Sequence, residues 1–182
     1  ILICLFALIL GVGAYWARAA DISAVISETI VGFLVIIFAG LSWFLLLLIF
    51  YLMGGGFSRD GYAKKEKLGI AQSHGGARGY KNVFSNSLVP LVMAVCYGIY
   101  GNDLFVYAFI GSVATANGDT LASEIGETSS SKPRMITTLK ETEPGVDGGV
   151  TLLGVGASLL GALIIGILAA ISGMTGLLGI VI

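Results

Sequence analysis

Charge is scarce in this chain: Asp, Glu, Lys and Arg make up 12% of its 182 residues, whereas soluble domains carry about a quarter. Hydrophobic residues reach 56% and mean hydropathy is +0.94, so the composition is that of an integral membrane protein. Ten Lys and Arg stand against eleven Asp and Glu, a net charge of -1, which supplies no basic field and excludes a nucleic-acid partner as the leading reading. The two cysteines, Cys4 and Cys96, lie in apolar runs. With a single His they cannot build a structural zinc site or a disulfide framework, and they make haem, iron–sulfur and Cys/His chemistry poor candidates. No repeat, heptad run or low-complexity tract beyond Ser129-Ser130-Ser131 divides the sequence, so one membrane domain, residues 1–182, is expected.

Long uncharged runs are what the chain does have, and a bilayer core needs about 20 apolar residues per helix. Ile1 to Trp16 lacks the basic flank of a secretory signal and reads as a membrane helix. The chain begins at Ile1 rather than Met and ends in an apolar run, as a fragment of a slightly longer protein would. Ile22 to Met53 is too long for one upright span. It is either a strongly tilted helix or two short helices meeting near Ala39 to Ser42, and Glu28 favours the pair, with the acid near an interface or a polar cavity. Val83 to Tyr100 and Leu104 to Ala116, joined by Gly101-Asn102-Asp103, form a hairpin in the membrane. Val150 to Ile171, rich in glycine and alanine, is a span suited to close helix packing, and a further helix is expected after Gly173. The fold expected is an all-α, polytopic helical bundle of about six membrane segments.

Two polar stretches remain, Gly54 to Asn82 and Asn117 to Gly149. The first holds Arg59, Lys64, Lys65, Lys67, Arg78 and Lys81 against only Asp60 and Glu66, an excess that marks the cytoplasmic side. Because the hairpin returns the chain, the second stretch lies on that side too. The helix from Leu104 is expected to run on to about Ile125, placing Thr120, Ser123, Glu124 and Glu127 on one face with Asp119 at its edge. Carboxylates and hydroxyls grouped in this way suit Mg²⁺, which is held by one or two carboxylates plus substrate phosphates. Lys132, Arg134 and Lys140 add the cations a triphosphate requires. Pro144-Gly145-Val146-Asp147-Gly148-Gly149-Val150 adds glycines that let backbone N–H groups approach phosphate just before a helix begins. No Walker loop and no dinucleotide fingerprint is present, which excludes P-loop and Rossmann chemistry. Arg78 and Lys81, with Asn82 and Asn86 on one face of the next helix, could hold an anionic lipid headgroup.

Several of these residues have simpler roles. Arg59 and Lys64 to Lys67 read as topology signals, His74 as a loop residue, and the glycines of the last spans as packing. The group around Asp119 abuts the membrane, an expensive arrangement to keep without a ligand.

The string Ala116-Asn-Gly-Asp-Thr-Leu-Ala-Ser-Glu-Ile-Gly126, with Pro133-Arg-Met-Ile-Thr-Thr138 and Pro144-Gly-Val-Asp-Gly-Gly-Val150, resembles the integral membrane family that includes plant phytyl-phosphate kinase and many prokaryotic relatives. Asp21-Ile-Ser-Ala24, Val31-Gly32-Phe33, Ser58-Arg59 and Gly-Gly-Ala-Arg78 extend the likeness over most of the chain. The order of motifs is also similar to that of CDP-diacylglycerol synthases, with Val146-Asp147 where that family has a single His, and more loosely to dolichol and phytol kinases. The resemblance implies a kinase of a prokaryotic cell membrane that moves a phosphoryl group from CTP onto an isoprenoid monophosphate. On that reading Asp119 is the principal Mg²⁺ ligand, assisted by Glu124 or Asp147. Arg134 and Lys140 hold the nucleotide phosphates, with Asn117, Gly118, Ser123, Gly145, Gly148 and Gly149 around them, and Arg78, Asn82 and Asn86 hold the lipid phosphate. A cytidylyltransferase making a CDP-lipid is the alternative of the same class. A small transporter, with Glu28 and Asp119 on its path, is the alternative from another class.

Overall fold

The structure, a computed structural model, describes residues 11–13, 15–16, 20–60 and 79–176, with the last four of the 20–60 stretch described by backbone alone. Five long helices carry the fold: α1 (Ile22–Ala39), α2 (Leu41–Asp60), α3 (Tyr80–Tyr100), α4 (Leu104–Gly126) and α5 (Leu152–Ile171). Residues 11–13 and 15–16 are helical as well. The protein is an all-α membrane protein, and α1, α3 and α5 are each long and apolar enough to cross a bilayer.

The run Ile22 to Met53 doubles back, as two helices meeting at Gly40. The backbone of Gly40 has φ 96° and ψ -178°, and its N–H closes α1 on the carbonyls of Val35 and Ile36. Side chains are disfavoured there for conformational reasons alone, since a Cβ on Gly40 would touch nothing within 4 Å. Gly40→Ala is therefore expected to destabilise the protein by about 1–3 kcal/mol, read as a lower thermal midpoint in detergent. Gly101 closes the hairpin between α3 and α4 in the left-handed region, φ 62°, and α4 runs on to Gly126, as far as the sequence led us to expect. Ser172 to Gly176 is a non-helical turn, and the helix expected beyond Gly173 otherwise lies outside the described residues, as does most of Ile1 to Trp16.

The bundle is organised for lipid, with large residues outside. On α1 the exposed side chains Ile22, Ile26, Ile30, Phe33 and Ile37 recur at helical spacing, while Ala24, Ser27, Val31, Gly32 and Val35 face inward. Helix α2 sits at the centre. Its Trp43, Leu46, Leu47 and Phe50 are buried, and the Trp43 ring lies 4.8 Å from Tyr97 and 4.5 Å from Phe109. Helices α1 and α3 run parallel. The Tyr80 N–H donates to Ser23 Oγ at one end (3.0 Å), and Gly98 abuts the Phe38 carbonyl at the other. Helices α4 and α5 run antiparallel through glycine contacts: a Cβ on Gly118 would stand 3.0 Å from Ser158 Oγ, and one on Gly154 would stand 2.9 Å from the Ala122 carbonyl oxygen.

This topology gives the bundle two unlike ends. Asp21, Gly79, Gly126 and Thr151 meet at one, the polar end; Gly40, Gly101 to Asp103 and Ser172 meet at the other, the turn end. Between α4 and α5 the polar end carries an antiparallel ladder of β1 (Arg134–Met135) and β2 (Gly149–Val150), in a stretch whose residues read as loop.

Candidate functional site

Helix α4 has two working faces. Val106, Ile110, Val113, Asn117, Leu121 and Glu124 repeat at a spacing of three or four residues and are all buried. Asp119, Ala122, Ser123, Gly126 and Glu127 lie on the other side and form one wall of a cleft of about 480 Å³. Helical spacing puts Thr120, Ser123, Glu124 and Glu127 on one face with Asp119 at its edge, but Thr120 does not line the cleft. In the structure Asp119, Ser123 and Glu127, four residues apart, form the stripe itself, while Glu124 falls on the buried face and lines no part of the cleft.

The opposite wall comes from the start of α5 and the loop before it. Thr151 caps α5, its Oγ1 accepting the Gly154 N–H at 3.0 Å and donating weakly to the Gly126 carbonyl at 3.5 Å, which ties the end of α4 to the beginning of α5. Pro144 to Val150 turns sharply, with Gly145 at φ 83° and Gly148 at φ 80°, and brings Asp147 to the cleft. Gly149, expected as a phosphate donor, uses its N–H on the Val146 carbonyl at 3.0 Å inside this turn. Gly145 and Gly148 line the cleft.

The structure therefore gathers Asp119, Ser123, Asp147, Gly145, Gly148 and Gly149 into one cleft, and adds Glu127, Ser129, Ser131, Thr151 and Ser158. Ser158 stands in an apolar run, and only the antiparallel register of α4 on α5 brings it to the site. Its signal in the sequence is its place between Gly154 and Gly161, on the face that must approach another helix closely.

Other expected site residues lie elsewhere. Arg134 is exposed on the β1 hairpin, 3.7 Å from Glu141 and donating to the Leu139 carbonyl at 3.4 Å. Such an exposed pair contributes about 0–1 kcal/mol. Lys140 is exposed on the same hairpin, and neither cation lines the cleft. Asn82 and Asn86 share a face at the start of α3, where the Asn86 side-chain amide donates to the Asn82 carbonyl at 2.9 Å; they too lie outside the cleft lining. Arg78 lies outside the described residues.

Asn117 and Gly118 are packing residues beneath the cleft. Asn117 is fully buried, and its Nδ2 donates to the Gly161 carbonyl at 2.8 Å, bridging α4 and α5. Asn117→Ala is expected to lower stability by about 1–2 kcal/mol, the scale of a lost interhelical hydrogen bond with a small void, measurable by denaturant titration in mixed micelles.

The described lining of the cleft is acidic: Asp119, Glu127 and Asp147 face it, and among the described residues no Lys or Arg does. No three His, Cys, Asp or Glu side chains among the described residues are close enough to cage a metal by themselves. The donor set is nonetheless all hard oxygen, carboxylate and hydroxyl, and it fits Mg²⁺, an ion that commonly takes one or two protein carboxylates and completes its shell with water and phosphate. Val155 and Leu159, both exposed on the apolar helix α5, continue the cleft toward the bilayer.

A family model described as integral membrane protein DUF92 matches residues 5–182. The chain is 36% identical over 167 residues to the membrane protein MJ0933 of Methanocaldococcus jannaschii, covering 92% of this chain and 67% of that one. It is 31% identical over 178 residues to Protein PGR of Arabidopsis thaliana, covering 88% of this chain and 60% of that one. Protein VTE6, chloroplastic, of the same plant is 31% identical over 126 residues, 66% of this chain and 38% of its own. The chain thus spans between about a third and two thirds of these relatives' length. No solved structure matches.

Proposed function

The chain belongs to the integral membrane protein family DUF92, and on that premise we propose that it is a CTP-dependent kinase that converts an isoprenoid monophosphate, phytyl or polyprenyl, to the diphosphate. The observation that carries this reading is a single cleft holding Asp119, Ser123, Asp147 and Ser158 and continuing, at its membrane side, along Val155 and Leu159. A lipid phosphate needs polar oxygen chemistry and an apolar track within one molecule's reach, and both are present here. The motif resemblance around Asn117-Gly118-Asp119 supplies the choice of CTP and isoprenoid.

In this reaction an oxygen of the lipid phosphate attacks the γ-phosphorus of CTP. The bond from that phosphorus to the β-phosphate oxygen breaks, and CDP leaves. A phosphomonoester is already nucleophilic at neutral pH, so catalysis is a matter of placement and charge. Mg²⁺, when bound, neutralises the phosphate oxygens and offsets the negative charge of the cleft. Asp119 and Asp147 are the ligands nearest to hand. Ser123 and Ser158 offer hydroxyl donors, and the turn at Gly145 and Gly148 lets backbone come close to phosphate. Arg134 and Lys140, on the hairpin above, meet the nucleotide's outer phosphates from outside the cleft wall.

On the positive-inside rule we assign this end to the cytoplasm. Lys81, Lys132, Arg134 and Lys140 all lie at the polar end, and no Lys or Arg occurs in the described turns of the other end.

The test is CTP labelled at the α- or the γ-phosphorus, supplied with Mg²⁺ and geranylgeranyl or phytyl monophosphate to the purified protein. Label reaching lipid from γ alone is the expected result. Label from α in a CDP-lipid would make the protein a cytidylyltransferase instead, and no transfer from any nucleotide would remove the enzyme reading.

A further inference from the structure

The cleft has a closed floor. Beneath Asp119 and Ser123, helices α4 and α5 meet backbone to backbone: a Cβ on Gly118 would stand 3.1 Å from the Ser158 carbonyl oxygen, and one on Gly161 would stand 3.3 Å from the Asn117 carbonyl oxygen and 2.8 Å from Leu121 Cδ1. The Asn117 side-chain amide, donating to the Gly161 carbonyl, bridges the same seam. One and two turns deeper, Val113, Phe109, Ile165 and Ala169 are fully buried in one continuous core with Phe50 of α2. Among the described residues, therefore, no passage leads from the cleft down between α4 and α5 into the bundle.

Sideways the cleft is open. Val155 and Leu159 line it and are 45% and 68% exposed, and Leu160 and Leu163 beyond them are exposed too. On the α4 side Asp119 is exposed, as is Thr115 one turn deeper, and a Cβ on Gly111, a further turn along, would meet nothing within 4 Å. Helix α5 is long and apolar enough to cross the bilayer, so this open side faces acyl chains.

A lipid whose phosphate sits in the cleft thus sends its chain outward. A chain already in a bilayer gains almost nothing by exchanging acyl neighbours for exposed leucines, because lipid tails are as apolar as Leu. Length is measured only by an enclosed tunnel, whose end wall rejects a longer chain and whose empty stretch penalises a shorter one.

We infer that the lipid enters the cleft from the side, across Val155 and Leu159, and that the protein recognises its phosphate and the first unit of its chain without measuring the rest. The substrate class is then the isoprenoid monophosphates of any length that anchors in a bilayer. This inference rests on the kinase reading of the cleft, and its test separates the two.

Farnesyl, geranylgeranyl and solanesyl monophosphate form an all-trans series that differs only in the number of units. Placed at equal mole fraction in the same nanodiscs, they compete directly, so the ratio of initial product yields gives the ratio of kcat/KM. With Mg²⁺ and γ-labelled CTP the three diphosphates are expected in equal amounts within about threefold, whereas an enclosed pocket discriminates by about tenfold or more for a single methylene. Geranylgeranyl monophosphate carrying a pyrene at the far end of its chain is expected to react as fast as its parent within the same factor. A larger preference for one length, or failure of the pyrene-tailed lipid to react, overturns the inference and leaves the kinase reading standing. Label in none of the lipids removes the kinase reading itself, and the inference with it.

Discussion

Asp119→Asn is expected to slow γ-phosphoryl transfer by about a thousandfold, the scale on which a single electrostatic group at a phosphoryl centre acts, while leaving insertion and thermal midpoint close to those of the parent protein. Asp119 is exposed to the cleft and makes no hydrogen bond or ion pair among the described residues, so its replacement breaks no contact that holds the fold. Asparagine keeps the volume but removes the charge and turns one of two acceptor oxygens into a donor. The loss should appear in kcat rather than in binding of the lipid, whose tail contacts Val155 and Leu159 are untouched. Glu127→Gln, on the rim of the same stripe, is expected to lower activity by about ten- to a hundredfold, because an outlying carboxylate contributes to the field that attracts Mg²⁺ without being its principal ligand. Activity of Asp119→Asn within a few fold of the parent would remove Asp119 from the chemistry and with it the assignment of the cleft.

The largest structural effect is expected from Gly154→Leu. A Cβ at this position would stand 2.9 Å from the Ala122 carbonyl oxygen and 3.2 Å from Gly126 Cα. Both are backbone atoms that cannot swing aside, so α4 and α5 must separate. The expected cost is about 2–3 kcal/mol or more, seen as a lower unfolding midpoint, together with loss of activity as Ser158 moves away from the α4 stripe. Gly156, two positions on, is the contrast. A Cβ there meets nothing within 4 Å, so Gly156→Ala is expected to be neutral or to stabilise by about 0.5–1 kcal/mol through helix propensity. Equal behaviour of the two variants would mean that the α4–α5 contact does not control the site.

Much of this architecture was legible in the residues. The break at Gly40, the turn at Gly101 to Asp103 and the extension of α4 past Asp119 follow from where apolar runs exceed or fall short of a bilayer and where glycine interrupts them. Asp119, Ser123, Asp147 and the glycine turn were legible as one site because they cluster in polar sequence against membrane. The rest depended on which way each helix face turns. Glu124 sits one residue beyond Ser123, a rotation of about 100°, which carries it from the cleft onto the buried stripe of Asn117 and Leu121. Asn117 looked like a ligand because it adjoins Gly118-Asp119, yet the same geometry directs it at Gly161. Arg134 and Lys140 were close in sequence to the acids, but the β1–β2 ladder folds their segment into a hairpin of its own, and a two-residue strand leaves almost no pattern to read.

Helix α4 bears on how the protein is made. It carries Asp119 and Glu124, and among the described helices α1, α3 and α5 meet the length and hydropathy needed to cross on their own while α4 does not. During synthesis α4 follows α3 and precedes α5, so it must enter the bilayer as the return limb of the Gly101 hairpin and wait for its main packing partner. Until Leu152 to Ile171 is inserted, the Asn117 amide has no Gly161 carbonyl to meet, and α4 lacks the helix whose glycines it packs against. A nascent chain halted before α5 is thus the form in which membrane quality control would find an incompletely satisfied helix, and completion of the last span is the step that both retains α4 and forms the cleft.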